Sequence, residues 1–69
     1  MKLSTRNQLD GVVESVRMGE AMAVVRVTLT GGESIVSSIT REAAEELGLR
    51  PGTPVKVLIK STEVSLGVE

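Results

Sequence analysis

Apolar and polar residues alternate along several short stretches of the chain, which is the pattern of β-strands with one buried face. Gly31 and Gly32 separate two of these stretches, and they predict a hairpin turn because glycine readily takes the positive φ of tight turns. Gly11, inside the first stretch, indicates a bulge or a close backbone approach. The alternation predicts five strands, over residues 9–16, 21–29, 34–39, 55–60 and 63–68.

One segment carries helix signals instead. The hydroxyl of Thr40 can cap a helix start, acidic residues and alanines follow, and Gly48 can close the helix. We therefore predict one helix of about two turns between the third and fourth strands. The order β-β-β-α-β-β is that of an oligonucleotide/oligosaccharide-binding (OB) barrel. The predicted fold is mainly β, an OB-like five-stranded barrel or sheet, formed by a single domain over residues 1–69.

The chain is so short that its hydrophobic core alone gives only marginal stability. With 69 residues it belongs to the size range that buries only about 60% of the unfolded surface on folding. It has no Cys or His, which excludes a disulfide and disfavours a zinc site as a supplement. Oligomerisation is the remaining way to add buried surface. We expect a homo-oligomer.

Charge and missing residue types exclude several function classes. The formal net charge is −1 and there are no aromatic residues, which disfavours nucleic acid, because single strands need a basic groove and stacking rings. Without His or Cys, a Ser–His or Cys–His nucleophile cannot be assembled, so we predict that the chain is not an enzyme. No apolar stretch approaches the roughly 18 to 20 residues of a membrane span, and the start lacks a signal-peptide run, so the expected location is the cytoplasm.

Two polar segments near opposite ends of the chain are the candidate chemistry. Ser4 and Thr5 precede Arg6, and Ser61 follows Lys60. Hydroxyls, a guanidinium, an ammonium and backbone N–H groups are the donors that a small oxyanion requires. A second interpretation of each cation is open, since arginine is common in frayed termini and lysine at strand ends promotes solubility.

Thr40 is a third candidate, since a helix start presents unpaired N–H groups and a partial positive charge. Its role as the helix cap is compatible with oxyanion binding. A pocket lined by donors favours a fully deprotonated anion over hydrogen phosphate, whose O–H needs an acceptor.

The end segments and the helix region together match a known family. The residues are Ser-Thr-Arg-Asn-Gln-Leu at 4–9, Ile-Thr at 39–40, Glu-Glu-Leu-Gly-Leu at 45–49 and Ile-Lys-Ser-Thr-Glu-Val at 59–64. In this pattern the chain resembles the molbindins, small cytoplasmic molybdate-binding proteins built from a Mop-type, TOBE-related domain. The resemblance covers essentially the whole chain.

The resemblance implies OB-like subunits that assemble as hexamers, described as trimers of dimers, and bind molybdate or tungstate between subunits. It implies a pocket to which Ser4, Arg6 and the backbone of Thr5 contribute from one side, completed by three further residues, Thr40, Lys60 and Ser61. The metal is then bound as its oxyanion, without direct protein ligands and without an organic cofactor. The implied role is storage, buffering or homeostasis of the oxyanion.

Two other functions remain open at this stage. Similar domains are fused to molybdate-responsive regulators and transporter ATPases, so a regulatory or accessory oxyanion-sensing module that acts through a protein partner is the first alternative. A nucleic-acid-binding OB domain is the second, and the composition disfavours it.

Overall fold

Four strands, one α-helix and one 3-10 turn make up the structure, a computed structural model that describes residues 1–69. The elements, in chain order, are β1 Asn7–Met18, β2 Met22–Leu29, β3 Ser34–Thr40, α1 Arg41–Leu47, β4 Pro54–Ile59 and the 3-10 turn Ser61–Glu63.

The strands form one antiparallel sheet in the order β3-β2-β1-β4. The twelve-residue β1 pairs with β4 through its first half and with β2 through its second half, so it connects the two sides of the sheet. A bulge between Val13 and Ser15 shifts the register with β2. At Gly11, a Cβ atom would lie 2.6 Å from Val27 Cγ1 and 3.0 Å from the Thr28 carbonyl oxygen, which confirms the close backbone approach predicted for this glycine.

The core is small and lies on the two central strands. Val13, Val25 and Val27 form the buried cluster, and Ala23 and Ala44 are the other fully buried residues. The inward residues of the outer strands β3 and β4, such as Ile39 and Val57, are only half-buried against this cluster. Burial therefore decreases from the centre of the sheet to both edges, as expected for a domain at the lower limit of size.

The helix is capped at both ends by the predicted residues. Thr40 has extended backbone angles and its hydroxyl accepts a hydrogen bond from the Ala43 N–H at 3.1 Å. Gly48 takes the left-handed conformation at φ 64°, and its N–H donates to carbonyls of the last turn. The sequence prediction of one short helix between β3 and β4 is confirmed. With seven residues, α1 is far from bilayer-spanning length, and the chain has no helix that is long and apolar enough to cross a membrane.

The fold class is confirmed as mainly β, but the predicted strand over residues 63–68 is wrong. The sheet contains four strands, residues 61–63 form the 3-10 turn, and residues 64–69 have no regular structure. Leu66 and Val68 are 94% and 99% exposed. The alternation of this segment suits a strand, yet a strand also requires a partner for its backbone hydrogen bonds, and within the single chain this segment has none.

Candidate functional site

The structure brings the two terminal segments together at one end of the β1–β4 ladder. The last pair of that ladder is Asn7 with Ile59, so Arg6 and Lys60 are the next residues on the two strands. The Asn7 side-chain amide donates to the Ile59 carbonyl at 3.0 Å, which ties the segments across the ladder. We call the group formed by Ser4, Thr5, Arg6, Lys60 and Ser61 the cationic corner.

The two cations of the cationic corner have no carboxylate partner within the chain. The three ion pairs of the molecule use Arg26, Arg41 and Lys56 as their cations. Arg6 and Lys60 take part in none of them, and both side chains are exposed. Their charge is therefore available to an external anion, because a cation already bonded to a carboxylate would have to exchange one anion for another.

Backbone donors are also free beside Lys60. Lys60 is extended, with φ −63° and ψ 141°, and the 3-10 turn follows it directly. The Glu63 N–H donates to the Lys60 carbonyl at 2.9 Å, which closes the turn. The N–H groups of Ser61 and Thr62 open the turn and have no partner within it, as in any helical first turn. The corner thus combines two charged donors with hydroxyl and amide donors.

Thr40 lies in a different part of the molecule. It pairs with Met22 at the beginning of β2, and β2 in turn pairs with the Met18 end of β1, whereas Arg6 precedes the Asn7 end. Thr40 lines an open groove of about 560 Å³ that contains none of the corner residues. We call it the acidic groove, and its lining consists of Glu20, Ala21, Thr40, Arg41, Glu42, Glu45 and Glu46.

The acidic groove alone is a poor place for an anion. Four of its side chains are carboxylates, and its one cation is occupied, since Arg41 donates to Glu45 at 2.8 Å and to the Gly19 carbonyl at 3.1 Å. The Thr40 hydroxyl already accepts the cap bond from Ala43 and retains only its own O–H as a donor. Within one chain, Thr40 therefore lacks the positive surroundings of an oxyanion ligand.

Two residues that the sequence analysis left without a role support the corner. Besides the Asn7 bond across the ladder, the Gln8 side-chain amide donates to the Thr5 carbonyl at 2.8 Å. Together these amides hold the chain on both sides of Arg6. The signal was present in the sequence, because two adjacent carboxamides directly before an apolar strand offer local side-chain bonds to the backbone.

Comparison with known proteins gives the same family for the whole chain. The TOBE domain family model matches residues 3–66. A probable molybdenum-pterin-binding protein of Haemophilus influenzae is 41% identical over 69 residues, which is all of both chains. Relatives of this group are named for binding, not for catalysis.

Solved structures agree with the sequence comparison. MopII from Clostridium pasteurianum superposes with a TM-score of 0.92 at 36% identity, covering 97% of this chain and 100% of that one. The cytoplasmic molybdate-binding protein ModG, solved with molybdate bound, gives a TM-score of 0.95 at 43% identity over 100% of this chain and 49% of ModG. The resemblance seen in the sequence motifs is confirmed, and the chain belongs to the TOBE-domain family and, within it, to the molbindins.

Proposed function

We propose that this chain binds the oxyanion molybdate, or tungstate, at the cationic corner. The observation that carries the proposal is that the β1–β4 ladder ends at Asn7 and Ile59, so that two unpaired cations, Arg6 and Lys60, are the next residues on the two strands. One guanidinium and one ammonium balance the charge of a tetrahedral dianion, and charge-assisted hydrogen bonds are about twice as strong as neutral ones. The hydroxyls of Ser4 and Ser61 and the backbone of Thr5 supply the remaining donors.

The complete site lies between subunits in this proposal. The corner is open to solvent in the single chain, and a second chain that covers it would lower the local dielectric and strengthen each charged contact. Thr40 joins the site from a neighbouring copy, where the cations of the corner offset the carboxylates of the acidic groove. We propose the homohexamer of the molbindins, a trimer of dimers, as the assembly.

The proposed ligand is inorganic. The relatives are named for molybdenum-pterin binding, but this chain has no aromatic ring on which a pterin could stack. A pocket of donors suits molybdate and tungstate equally and disfavours hydrogen phosphate, while sulfate is discriminated by its smaller size. The role that we propose is storage, buffering or homeostasis of the oxyanion in the cytoplasm, without catalysis, by one binding domain over residues 1–69.

Two lysines at the β4 side of the ladder provide a matched test. Lys60→Ala removes an unpaired cation of the corner, whereas Lys56→Ala removes a cation bonded to Asp10 at 2.6 Å. A hydrogen bond to a charged group contributes about 1.5–3 kcal/mol, so Lys60→Ala should weaken molybdate binding roughly 10- to 100-fold. Titration calorimetry of both variants and the parent, with molybdate, tungstate, sulfate and phosphate, measures this. Equal affinities of the two variants, or phosphate bound as tightly as molybdate, would refute the proposed site.

A further inference from the structure

The cationic corner has two arms, the N-terminal arm of residues 4–6 and the C-terminal arm of residues 60–61. Molybdate and sulfate carry the same charge and differ mainly in size, so arms that move freely would close around the smaller anion and bind it as well. A site rejects a smaller ligand only when its donors are held at a fixed separation. The residue that holds the two arms apart therefore determines which anion the corner prefers.

Asn7 links the two arms. It follows Arg6 directly in the chain, and its side-chain amide donates to the carbonyl of Ile59, the residue before Lys60, at 3.0 Å. The two bonded residues are 52 positions apart in sequence. The β1–β4 ladder ends at this pair, and no further hydrogen bond joins the arms. The Asn7 bond is thus the last connection between the two strands before the two cations.

The same bond fixes the orientation of the C-terminal arm. A peptide unit is planar, so a hydrogen bond to the Ile59 carbonyl holds the whole unit between Ile59 and Lys60. The next carbonyl, that of Lys60, accepts the Glu63 N–H at 2.9 Å. Both peptide units that flank the Lys60 Cα atom are therefore held, and the lysine side chain starts from a fixed point.

The neighbouring amide, that of Gln8, acts on one arm only. Its side chain donates to the Thr5 carbonyl at 2.8 Å, three residues back in the same segment. Gln8 is exposed, whereas Asn7 and Ile59 are half-buried. A hydrogen bond is stronger where water is partly excluded, so the Asn7 bond constrains the corner more than the Gln8 bond does.

We propose that Asn7 is a positioning residue that determines the selectivity of the corner for molybdate over sulfate. Through its bond to Ile59, it holds Lys60 at the distance from Arg6 that suits the larger anion. The amide is neutral, so its removal leaves the charge of the corner unchanged and acts through geometry. The inference deepens the proposed function and rests on it, because it takes the corner as the oxyanion site.

Two variants form a matched pair for the test. Asn7→Leu removes the amide and keeps the branched shape of the side chain, while Thr30→Val removes a similar side-chain bond to the same strand, from the Thr30 hydroxyl to the Asp10 carbonyl at 3.3 Å. Titration calorimetry of the parent and both variants measures the molybdate affinity, and competition with molybdate gives the sulfate affinity. We expect the ratio of molybdate to sulfate affinity to fall about fivefold or more in Asn7→Leu and to stay unchanged in Thr30→Val.

This affinity ratio separates positioning from a purely structural role. A structural role would lower both affinities by the same factor and leave the ratio in Asn7→Leu unchanged, which would overturn the inference. An equal fall of the ratio in Thr30→Val would overturn it as well, since selectivity would then follow general stability. A parent chain that binds neither anion would overturn the proposed function and the inference together.

Backbone order parameters, measured by NMR without any anion, test the positioning independently of the ligand. At Arg6 and Lys60, we expect the order parameter to fall from the value of a rigid backbone, about 0.85, toward that of a flexible one, below about 0.6, in Asn7→Leu. Thr30→Val should keep the parent values. Unchanged order at both cations of Asn7→Leu would overturn the inference and leave the proposed ligand intact. If Asn7→Leu does not fold, Asn7→Ala removes the same bond with less bulk and is measured in the same two ways.

Discussion

The cationic corner and the acidic groove are both open surface sites built around hydroxyl groups, and they differ in whether their cations are free. In the corner, Arg6 and Lys60 follow the last pair of the β1–β4 ladder and take part in no ion pair. In the groove, Arg41 is held by Glu45 and by a backbone carbonyl, among four carboxylates. The comparison teaches that the presence of a cation does not identify an anion site. Lys2, Arg17 and Arg50 also take part in no ion pair, so what distinguishes the corner is that two unpaired cations follow the same end of one strand ladder.

The hydroxyl residues of the two regions also differ in whether they are used within their own chain. Thr40 is used by its own chain, because its hydroxyl accepts the helix-cap bond from Ala43. Ser4 and Ser61 are exposed, they are adjacent in sequence to unpaired cations or within two residues of one, and their hydroxyls make no hydrogen bond within the chain. We therefore expect substitutions in the corner to change affinity more than stability, and substitutions in the groove to change both or stability alone.

The largest expected effect comes from removing both cations of the cationic corner. Arg6→Ala combined with Lys60→Ala should weaken molybdate binding at least 100-fold, because two charged hydrogen bonds of about 1.5–3 kcal/mol each are lost. The matched control is Arg26→Ala with Lys56→Ala, which changes the net charge equally but removes cations that are already paired with Glu14 and Asp10. Equilibrium dialysis with elemental analysis measures the affinity and the number of oxyanions per chain.

The two single variants complete this experiment as a double-mutant cycle. If Arg6 and Lys60 contact the same anion, their effects should couple by roughly 0.5–3 kcal/mol, as for residues in one network. Strictly additive losses of binding free energy would mean that the corner holds two separate sites. If the control double variant loses as much molybdate affinity as the corner double variant, the loss is due to net charge alone.

A smaller effect, about tenfold on affinity, is expected at Thr40. Thr40→Asp keeps a good helix cap, because aspartate is among the preferred N-cap residues. If Thr40 contacts the oxyanion from a neighbouring copy, the added carboxylate repels it and affinity falls while thermal stability is retained. Thr40→Ala should instead cost about 1 kcal/mol of stability through loss of the cap.

Thermal unfolding at one protein concentration, with and without molybdate, separates the two Thr40 roles. An affinity for molybdate that is unchanged in Thr40→Asp would remove Thr40 from the site and confine binding to the corner. Unchanged stability of Thr40→Ala would contradict the capping role that the 3.1 Å bond to Ala43 assigns to it.

Local signals allowed prediction of the helix, its caps and four strands, because a capping hydroxyl, a terminal glycine and strict alternation act over a few residues. The strand predicted over residues 63–68, which contains Leu66 and Val68, was wrong. Alternation predicts which face of a segment is apolar, but it does not predict which strand pairs with that segment. The separation of Thr40 from Arg6 was likewise hidden. It depends on which strands pair, and β1 pairs with β4, which is distant from it in sequence.

The smallest effect is expected at Arg41, the only cation that lines the acidic groove. Arg41→Ala removes an exposed ion pair with Glu45, four residues along the helix, which contributes about 0.3–0.5 kcal/mol of stability. Because this guanidinium is already bonded within its own chain, its loss should change molybdate affinity less than twofold. Arg41→Gln is the control that removes the charge but retains a hydrogen-bond donor on a shorter side chain. If Arg41→Ala loses affinity tenfold and Arg41→Gln does not restore it, the charge of Arg41 contributes to oxyanion binding. The contrast between free and paired cations would then no longer distinguish the two regions.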